Sequence, residues 1–369
     1  MSASTQNEVI EAIDKKVNLL NFDRQGLRDF FASINEKPFR ADQLMKWIYQ
    51  AGESDFDKMT NLNKDLRAKL KSRCFIEAPV ISQHQQASDG TIKFALLLDG
   101  GQEVETVWIP ETDRATLCVS SQAGCGMNCP FCATGQAGLV RNMSAGEIVD
   151  QIVRANELIA AGGLGKRKHD DERVNNIVFM GMGEPLANYS KVMSAIRTMV
   201  EPQPNGLGMS ARNITVSTVG LVPGIKKLAD EDLPLTFALS LHAPDDQLRD
   251  DLIPVNSKWK VDEALDAARS YFEKTGRRVS IEYALIKDMN DHGWRAELLA
   301  QKLNDRGKGW VHVNPIPLNP TPGSVWTAST PEQTEIFVST LEKNGIPTTL
   351  RDTRGKEIDG ACGQLAAVD

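Results

Sequence analysis

The chain has 369 residues, of which 41% are hydrophobic and 25% charged, and its formal net charge is −7. These proportions are ordinary for a soluble globular protein. The length exceeds one typical domain, so we expect a single α/β core with a small extra domain. The negative charge excludes bulk attraction to nucleic acid, and any such partner would have to be held by local basic patches.

No apolar run approaches the length of about 18 residues that a membrane helix needs. Residues 1–16 are polar and lack the apolar core of a signal peptide. We therefore expect a cytoplasmic protein with no membrane partner, whose six cysteines are reduced unless redox chemistry is their role.

Residues 1–90 are predicted to form a small helical accessory domain, because apolar residues recur there at roughly helical intervals. From residue 91 the pattern changes to strands. Residues 91–98 and 103–110 are β-like runs joined by Asp99-Gly100-Gly101, which predicts a β-hairpin extension over residues 91–114.

Residues 115–345 are predicted to form an α/β barrel, and residues 346–369 a C-terminal segment. Helical patterns alternate with strands predicted at residues 115–121, 176–180, 214–219, 235–241, 279–286 and 311–316. Six β-α units predict a TIM-like, parallel, partial (β/α)6 barrel. In such barrels the chemistry lies where the strands end.

The loop after the first barrel strand carries three cysteines, Cys125, Cys129 and Cys132, at C-x-x-x-C-x-x-C spacing. Glycines and Pro130 interrupt any helix here, so the loop is predicted to wrap around a bound group. Three thiolates suit an iron-sulfur cluster with one iron left open for a small molecule. The alternative is a structural zinc site, which needs four closed ligands, and no fourth ligand lies nearby in the sequence.

Several other predicted strands end in residues suited to binding a cofactor. Each has an alternative role in a cap or a turn, but their recurrence favours a cofactor site. These residues are Gly183, Glu184, Ser217, Ser240, Leu241, His242 and Asn319.

Two further cysteines flank the barrel. Cys118 lies late in the first barrel strand, and Cys362 lies in a glycine-flanked C-terminal segment able to move over the cluster mouth. A structural disulfide between them is not expected in a reducing compartment. Transient or catalytic pairing is the remaining interpretation.

The cysteine loop, with Phe131 just before its last cysteine, resembles the signature of the radical S-adenosylmethionine (SAM) superfamily. Nearly the whole chain resembles the RlmN family, dual-specificity adenine carbon-2 methyltransferases acting on 23S rRNA and tRNA. The matching stretches are Glu105-Thr106-Val107, Cys118-Val119-Ser120-Ser121-Gln122, the cysteine loop, Gly181-Met182-Gly183-Glu184-Pro185, Ser240-Leu241-His242-Ala243-Pro244 and Ala361-Cys362-Gly363-Gln364-Leu365. The sister Cfr-type carbon-8 methyltransferases share most of these motifs, so carbon 8 remains an alternative.

The resemblance implies one 4Fe-4S cluster with three cysteine ligands and two SAM molecules per turnover. The first SAM methylates Cys362, and the second is split at the cluster into a radical that activates the new methyl group for addition to the adenine. Cys118 then resolves the RNA-protein adduct, and Glu105 removes the proton from the substituted carbon. The strand-end residues named above match SAM-binding positions of the family.

The resemblance also implies an electron donor such as a flavodoxin-type reductant, and we expect a monomer. The basic clusters Lys166-Arg167-Lys168 and Arg351 with Arg354 and Lys356 are candidate RNA contacts, but solvated surface is the simpler interpretation. Two other classes stay open: a radical SAM enzyme acting on a small molecule or a protein, and a zinc-stabilised RNA-binding protein.

Overall fold

The computed structural model describes residues 16–111, 114–162, 173–321 and 323–366. The chain divides into two compact units. The first comprises Met1–Pro79, Ser144–Asp150 and Ser190–Met209, and the second comprises Val80–Met143, Gln151–Tyr189 and Ser210–Asp369. The division into four consecutive segments remains a prediction, and the basic cluster Lys166-Arg167-Lys168 lies outside the described residues.

The first unit is built mainly from helices in its N-terminal segment. They are α1 (Arg24–Ser33), α2 (Phe39–Met45) and α3 (Lys64–Arg73), with the short parallel strands β1 (Val17–Asn18) and β2 (Cys74–Phe75). Asp23 and Asn63 cap α1 and α3 by accepting hydrogen bonds from backbone N–H groups. Phe31 and Leu70 are completely buried in the core of this unit.

The strands of the second unit are, in chain order, β3 (Val80–Gln86), β4 (Ile92–Leu97), β5 (Glu103–Pro110), β6 (Ala115–Cys118), β7 (Gln122–Gly124), β8 (Leu139–Asn142), β9 (Asn176–Phe179), β10 (Ile214–Thr218), β11 (Thr236–Ser240), β12 (Val279–Leu285) and β13 (Val311–Pro317). Within the described residues, nine of them form one sheet in the order β13-β12-β11-β10-β9-β6-β5-β4-β3. Six of these strands form a continuous parallel array, in which each strand pairs with the next: β6, β9, β10, β11, β12 and β13. The predicted partial (β/α)6 barrel is thereby confirmed.

The helical prediction for residues 1–90 is wrong at its C-terminal end. Val80–Gln86 forms β3, which pairs antiparallel with β4 at the edge of the sheet. Its side chains are mostly exposed and polar, so the strand lacks the apolar alternation that identifies a half-buried strand in a sequence.

Of the remaining eight described helices, six follow the predicted alternation. The eight are α4 (Ala133–Ala137), α5 (Ala145–Ala160), α6 (Tyr189–Val200), α7 (Val222–Ala229), α8 (Asp246–Leu252), α9 (Val261–Thr275), α10 (Gly293–Asp305) and α11 (Pro331–Lys343). Two of these short helices, α4 and α8, were not predicted. Both lie beside strand ends that carry predicted site residues.

The C-terminal segment runs along the open edge of β13. The backbone N–H groups of Thr349 and Arg351 donate to the carbonyls of Val313 and Pro315 at 3.0 and 2.9 Å. This pairing covers the sheet edge and directs the chain back towards the barrel, where Cys362 follows. No helix in the described part of the chain is long and apolar enough to cross a membrane.

Candidate active site

A cavity of about 170 Å³ lies at the carboxyl ends of the barrel strands, and we call it the cysteine cavity. Most of the predicted site residues line it: Cys125, Cys129, Cys132, Gly183, Glu184, Ser217, Ser240, His242, Asn319 and Cys362. The other three predicted residues, Glu105, Cys118 and Leu241, are buried beside it and do not line it. Leu241 contributes only its backbone, whose N–H donates to the carbonyl of Glu282 at 3.0 Å.

Glycines allow the cysteine loop to fold back on itself. The Cys125 N–H donates to the carbonyl of Gly138 at 2.8 Å. Gly124 has φ +74°, and a Cβ there would lie 1.9 Å from that carbonyl oxygen. A Cβ at Gly135 would lie 2.8 Å from the Cys129 carbonyl oxygen. Neither position therefore accepts a side chain, and the loop conformation depends on both glycines.

The three loop thiols are arranged around the cavity and do not converge on one point. In the part of the chain that the structure describes, no three Cys, His, Asp or Glu side chains form a group able to hold a single metal ion. An iron-sulfur cluster needs a different arrangement of ligands, because each cysteine binds a separate iron at one corner of the cluster. The donor set of three thiols around one cavity fits that requirement.

Burial disfavours ionisation of these thiols unless a cation is bound beside them. Desolvation raises the pKa of Cys125 to about 11, and it also raises the pKa values of Cys129 and Cys132. Neighbouring thiols of the loop add to the shifts of Cys125 and Cys129, and Cys362 adds to that of Cys132. Three anionic sulfurs at this position need a positively charged partner, which the irons of a cluster would supply.

The Gly181–Glu184 turn packs directly against the strand that leads into the cysteine loop. Gly183 has φ +94°, and a Cβ there would lie 2.4 Å from the Cβ of Gln122. The Gln122 Oε1 atom accepts a hydrogen bond of 2.8 Å from the Glu184 N–H. These contacts fix the turn and the start of the loop together.

Glu184 is buried at the cavity wall with its carboxylate fixed by backbone groups. One oxygen accepts from the Leu186 N–H at 2.9 Å and the other from the Val219 N–H at 3.0 Å. Burial nevertheless raises the pKa of this carboxyl to about 7. An ammonium group bound nearby would favour the ionised form, so the site suits a ligand with a positively charged amine.

Hydroxyl and imidazole groups from the next two strands face the same cavity. The Oγ atoms of Ser217 and Ser240 lie 3.2 Å apart. The Nδ1 atom of His242 accepts from the Ala284 N–H at 2.9 Å, so the remaining proton is on Nε2. Burial lowers the pKa of His242 to about 3 and keeps the ring neutral. This arrangement offers a ligand several fixed polar groups without a net charge.

Asn319 connects the cavity to the C-terminal segment. Its amide nitrogen donates to the Cys362 carbonyl at 3.1 Å. Its Oδ1 atom is buried and has no hydrogen-bond partner among the described residues. An unpartnered buried acceptor on the cavity wall is costly unless a ligand donates to it. The cavity therefore fits a polar cofactor such as SAM.

Cys118 and Cys362 lie close enough for their charges to interact, and all six cysteines are free thiols. Burial raises the pKa of Cys118 to about 12, and the neighbouring Cys362 adds to the shift. The positive charge of Arg351 interacts with both cysteines and opposes this rise in the pKa of Cys118. The sequence interpretation of Arg351 as solvated surface is wrong: its side chain is only 30% exposed and donates to Glu282 at 3.3 Å.

Glu105 does not line the cysteine cavity, and two contacts occupy its carboxylate. The Lys93 Nζ atom lies 2.8 Å from one carboxylate oxygen, and the Ala366 N–H donates to the other at 2.8 Å. Burial raises the pKa of Glu105 in spite of Lys93. Ala366 belongs to the segment that carries Cys362, so Glu105 is tied to the position of that segment.

Arg249 is completely buried beneath the strand ends and was not identified from the sequence. Its guanidinium donates to the carbonyls of Leu241 and Val219 at 2.9 and 2.6 Å and to the Asn256 side chain at 2.7 Å. A single side chain thus holds together the ends of β10 and β11. Sequence patterns give no sign of such a residue, because an arginine on a polar helix is usually exposed.

Comparison with known proteins agrees with this geometry. Residues 17–76 match the ribosomal RNA large subunit methyltransferase N-terminal domain, and residues 119–298 match the radical SAM superfamily. A crystal structure of a radical SAM methyltransferase from Sphaerobacter thermophilus superimposes with a TM-score of 0.85 at 41% identity, covering 95% of this chain and 99% of that one.

Curated relatives are similar over nearly their whole length. A protein of Kocuria rhizophila, described as a probable dual-specificity RNA methyltransferase RlmN, is 56% identical over 95% of this chain and 92% of its own. A protein of Thermobifida fusca with the same description is 54% identical over 95% of this chain and 94% of its own. The chain belongs to the RlmN family of dual-specificity RNA methyltransferases, within the radical SAM superfamily.

Proposed function

We propose that this enzyme methylates carbon 2 of adenosine in 23S rRNA, at the peptidyl transferase centre, and in tRNA, at the adenosine 3′ to the anticodon. The observation that carries the proposal is the position of Cys362. It lines the same cavity as the three loop cysteines and is near enough to Cys118 for their charges to interact. A radical enzyme acting on a small molecule needs the loop cysteines but has no use for this second pair of thiols.

Cys125, Cys129 and Cys132 would hold one 4Fe-4S cluster. Glu184 and the unpartnered Oδ1 of Asn319 would bind SAM, together with the hydroxyls of Ser217 and Ser240 and the Nε2–H of His242. When bound, the cluster and two SAM molecules per turnover supply a methyl group and a radical able to abstract hydrogen. Gly183 allows the close approach of the turn that carries Glu184.

The protein's own residues would carry the methyl group and release the product. Cys362 accepts a methyl group on its sulfur, and this methyl group loses one hydrogen atom to the radical that the second SAM would supply. The resulting carbon radical bonds to the adenine, and the loss of one electron, which the cluster would take back, together with the proton of the substituted carbon gives a covalent RNA-protein adduct. The Cys118 thiolate then attacks the Cys362 sulfur and breaks the sulfur-carbon bond. The released carbon keeps the bonding electron pair and takes up a proton to become the methyl group of the product, and a disulfide remains between the two cysteines. Arg351 favours the thiolate because its positive charge interacts with both cysteines.

Glu105 would take the proton from the substituted carbon. Its raised pKa suits a proton acceptor. Both of its oxygens are engaged, by Lys93 and by the Ala366 N–H, so it becomes available only when the C-terminal segment shifts. We also propose that the enzyme works in the cytoplasm as a monomer and takes electrons from a flavodoxin-type donor, which would also restore the two thiols.

Nuclease digestion and mass spectrometry of tRNA methylated by the reconstituted enzyme test the position of the new methyl group. We expect 2-methyladenosine as the product. Co-elution with 8-methyladenosine would instead place the enzyme with Cfr-type methyltransferases. RNA that gains no methyl group, from an enzyme that still cleaves SAM, would contradict the proposed function.

A further inference from the structure

A smaller cavity, of about 110 Å³, lies at the edge of the sheet, and we call it the Lys93 cavity. Residues of three neighbouring strands line it: Gln83, His84 and Gln85 of β3, Lys93 and Ala95 of β4, and Glu105 of β5. None of these residues lines the cysteine cavity. The proposed reaction uses only one of them, Glu105.

The strand register puts Lys93 on the side of the sheet that carries the resolving cysteine. Residues that pair across antiparallel strands point to the same side, and so do residues two apart along one strand. Val107 pairs with Lys93 on β4 and with Cys118 on β6, and Glu105 lies two residues before Val107. Lys93, Glu105 and Cys118 therefore share one side of the sheet, and the Lys93 cavity extends that side towards the edge strand.

Lys93 and Glu105 form an ion pair that is almost completely buried. The Nζ atom lies 2.8 Å from a carboxylate oxygen, and the two side chains are 12% and 3% exposed. Taking both charges out of water is costly, and replacing such a pair by apolar residues is often neutral or stabilising. The stability of the sheet edge alone therefore does not account for this pair, which points to a role in the reaction.

Lys93 supplies the positive charge that opposes the other influences on Glu105. Burial raises the pKa of Glu105, Lys93 and the Ala366 N–H lower it, and the charge of Asp359 raises it further. In the proposed reaction the Ala366 N–H moves away with the C-terminal segment, so Lys93 remains to stabilise the carboxylate. A Glu105 that had already taken up a proton from water could not accept one from the substituted carbon.

The Lys93 cavity also gives Glu105 a connection to water. Its outer lining comes from Gln83 and Gln85, which are exposed on β3. A water needs about 10 to 15 Å³ of such space, so the cavity has room for several waters beside amide and ammonium groups that can hydrogen-bond to them. A proton on Glu105 can pass to such waters.

We propose that Lys93 is a positioning residue for the Glu105 base, and that Glu105 releases the accepted proton to water through the Lys93 cavity. The ammonium holds Glu105 as a carboxylate until the base arrives. The proton from the substituted carbon then converts Glu105 to the neutral acid, and its transfer to water restores the carboxylate. Lys93 stays charged, and no electron moves in these steps. This inference rests on the proposed function and adds to it the residue that keeps the base active.

The Cys118→Ala background isolates the proton transfer, because the reaction then stops at the RNA-protein adduct. We would combine it with Lys93→Met, which removes the charge, with Lys93→Arg, which keeps it, or with Lys260→Met, which removes an exposed lysine paired with Asp250. The substrate is tRNA with deuterium at carbon 2 of the target adenosine. Rapid quenching and mass spectrometry follow the label on Cys362 and the loss of deuterium from the adduct between about pH 6 and 9.

We expect Lys93→Met to methylate Cys362 normally but to lose deuterium about tenfold or more slowly at pH 7, part of the hundredfold or more that a general base supplies. Removal of the ammonium raises the pKa of Glu105 further, so less of it is ionised at pH 7 and the rate recovers as the pH rises. Lys93→Arg should retain most of the rate, and Lys260→Met all of it.

Deuterium loss at the normal rate in Lys93→Met, or a slow rate that Lys93→Arg shares and that does not recover with pH, would overturn the inference and leave the proposed function intact. Absence of label on Cys362 in the unaltered enzyme would instead overturn the proposed function.

Rescue by a small amine tests the cavity itself. Lys93→Ala leaves a space that propylammonium fits, and we expect added propylammonium to restore deuterium loss at pH 7 whereas propanol, which has no charge, does not. A variant that recovers with both compounds or with neither would count against the inference, because the missing group would then not be a cation reached from water.

Discussion

The resolving role proposed for Cys118 makes a direct prediction for its removal. Cys118→Ala leaves the methyl carrier intact but cannot break the bond between Cys362 and the base. We expect a stable protein-RNA adduct, visible as a mass increase of the Cys362 peptide after nuclease treatment. Cys74→Ala, which removes a buried thiol in the other compact unit, serves as the control and should turn over without adduct.

The pH dependence of adduct resolution reports on the same thiol. The pKa of Cys118 is raised to about 12 by burial, so below that pH its thiolate fraction increases about tenfold per pH unit. We expect the single-turnover rate of adduct release to rise with pH between about 7 and 9. Arg351→Gln removes the opposing charge and should slow release at each pH, whereas Arg351→Lys keeps part of it. A rate that does not vary with pH in any of the three enzymes would contradict this role.

At the scale of secondary-structure elements, the ends of β10 and β11 depend on the buried guanidinium of Arg249. Arg249→Met removes hydrogen bonds to the carbonyls of Leu241 and Val219. The Leu241 carbonyl keeps the Ala243 N–H as a donor at 2.8 Å, whereas the Val219 carbonyl loses the guanidinium that donates to it. A buried acceptor left unsatisfied costs about 1 to 3 kcal/mol, so we expect a lower Tm and weaker SAM binding by calorimetry. Arg269→Met, which removes a surface pair with Glu273, should change both quantities little.

The turn that carries Glu184 depends equally on Gly183. Gly183→Ala forces a Cβ into Gln122, at the entrance to the cysteine loop, so we expect iron and sulfide content to fall after anaerobic reconstitution. Gly276→Ala is the matched control, since Gly276 also has positive φ but has open space around its Cβ position. Equal iron content in the two variants would show that the loop does not depend on this contact.

The sequence predicted elements well where a pattern repeats along the chain. The alternation of apolar strands with amphipathic helices predicted the six parallel strands, and the glycine-rich turn at residues 99–101 predicted the β4–β5 hairpin. It missed β3 and the short helices α4 and α8, which are too polar or too brief to show a period. Elements of that kind are fixed by tertiary contacts.

The site was predictable where residues are close in sequence or match a motif, and much less so where the fold brings them together. The thiols of residues 125–132 share one loop, whereas Arg249 is recognisable as a site residue only once it is seen to be buried. The pairing of Lys93 with Glu105 is intermediate in how far it can be predicted from the sequence. The hairpin register places Glu105 opposite Ala95, and Lys93 is two residues further along the same face.

For the whole molecule, the acidic net charge and an RNA substrate are compatible only if binding is local. A few arginine-phosphate contacts still release counterions, so affinity for RNA should fall steeply between about 50 and 200 mM salt. Methylation of Cys362 involves no phosphate and should not change over that range. We expect the KM for tRNA, measured by label transfer, to rise with salt while the rate of Cys362 labelling stays constant. Parallel changes in both would point to a general loss of structure.

The proposed reaction requires Cys362 to carry the methyl group from SAM to RNA. Mass spectrometry of the peptide containing Cys362, after anaerobic reconstitution and exposure to SAM with an isotopically labelled methyl group, tests this role. We expect a labelled methyl on Cys362 that disappears from the protein and appears in RNA when tRNA is added. An unmodified Cys362 in an enzyme that methylates RNA would contradict it.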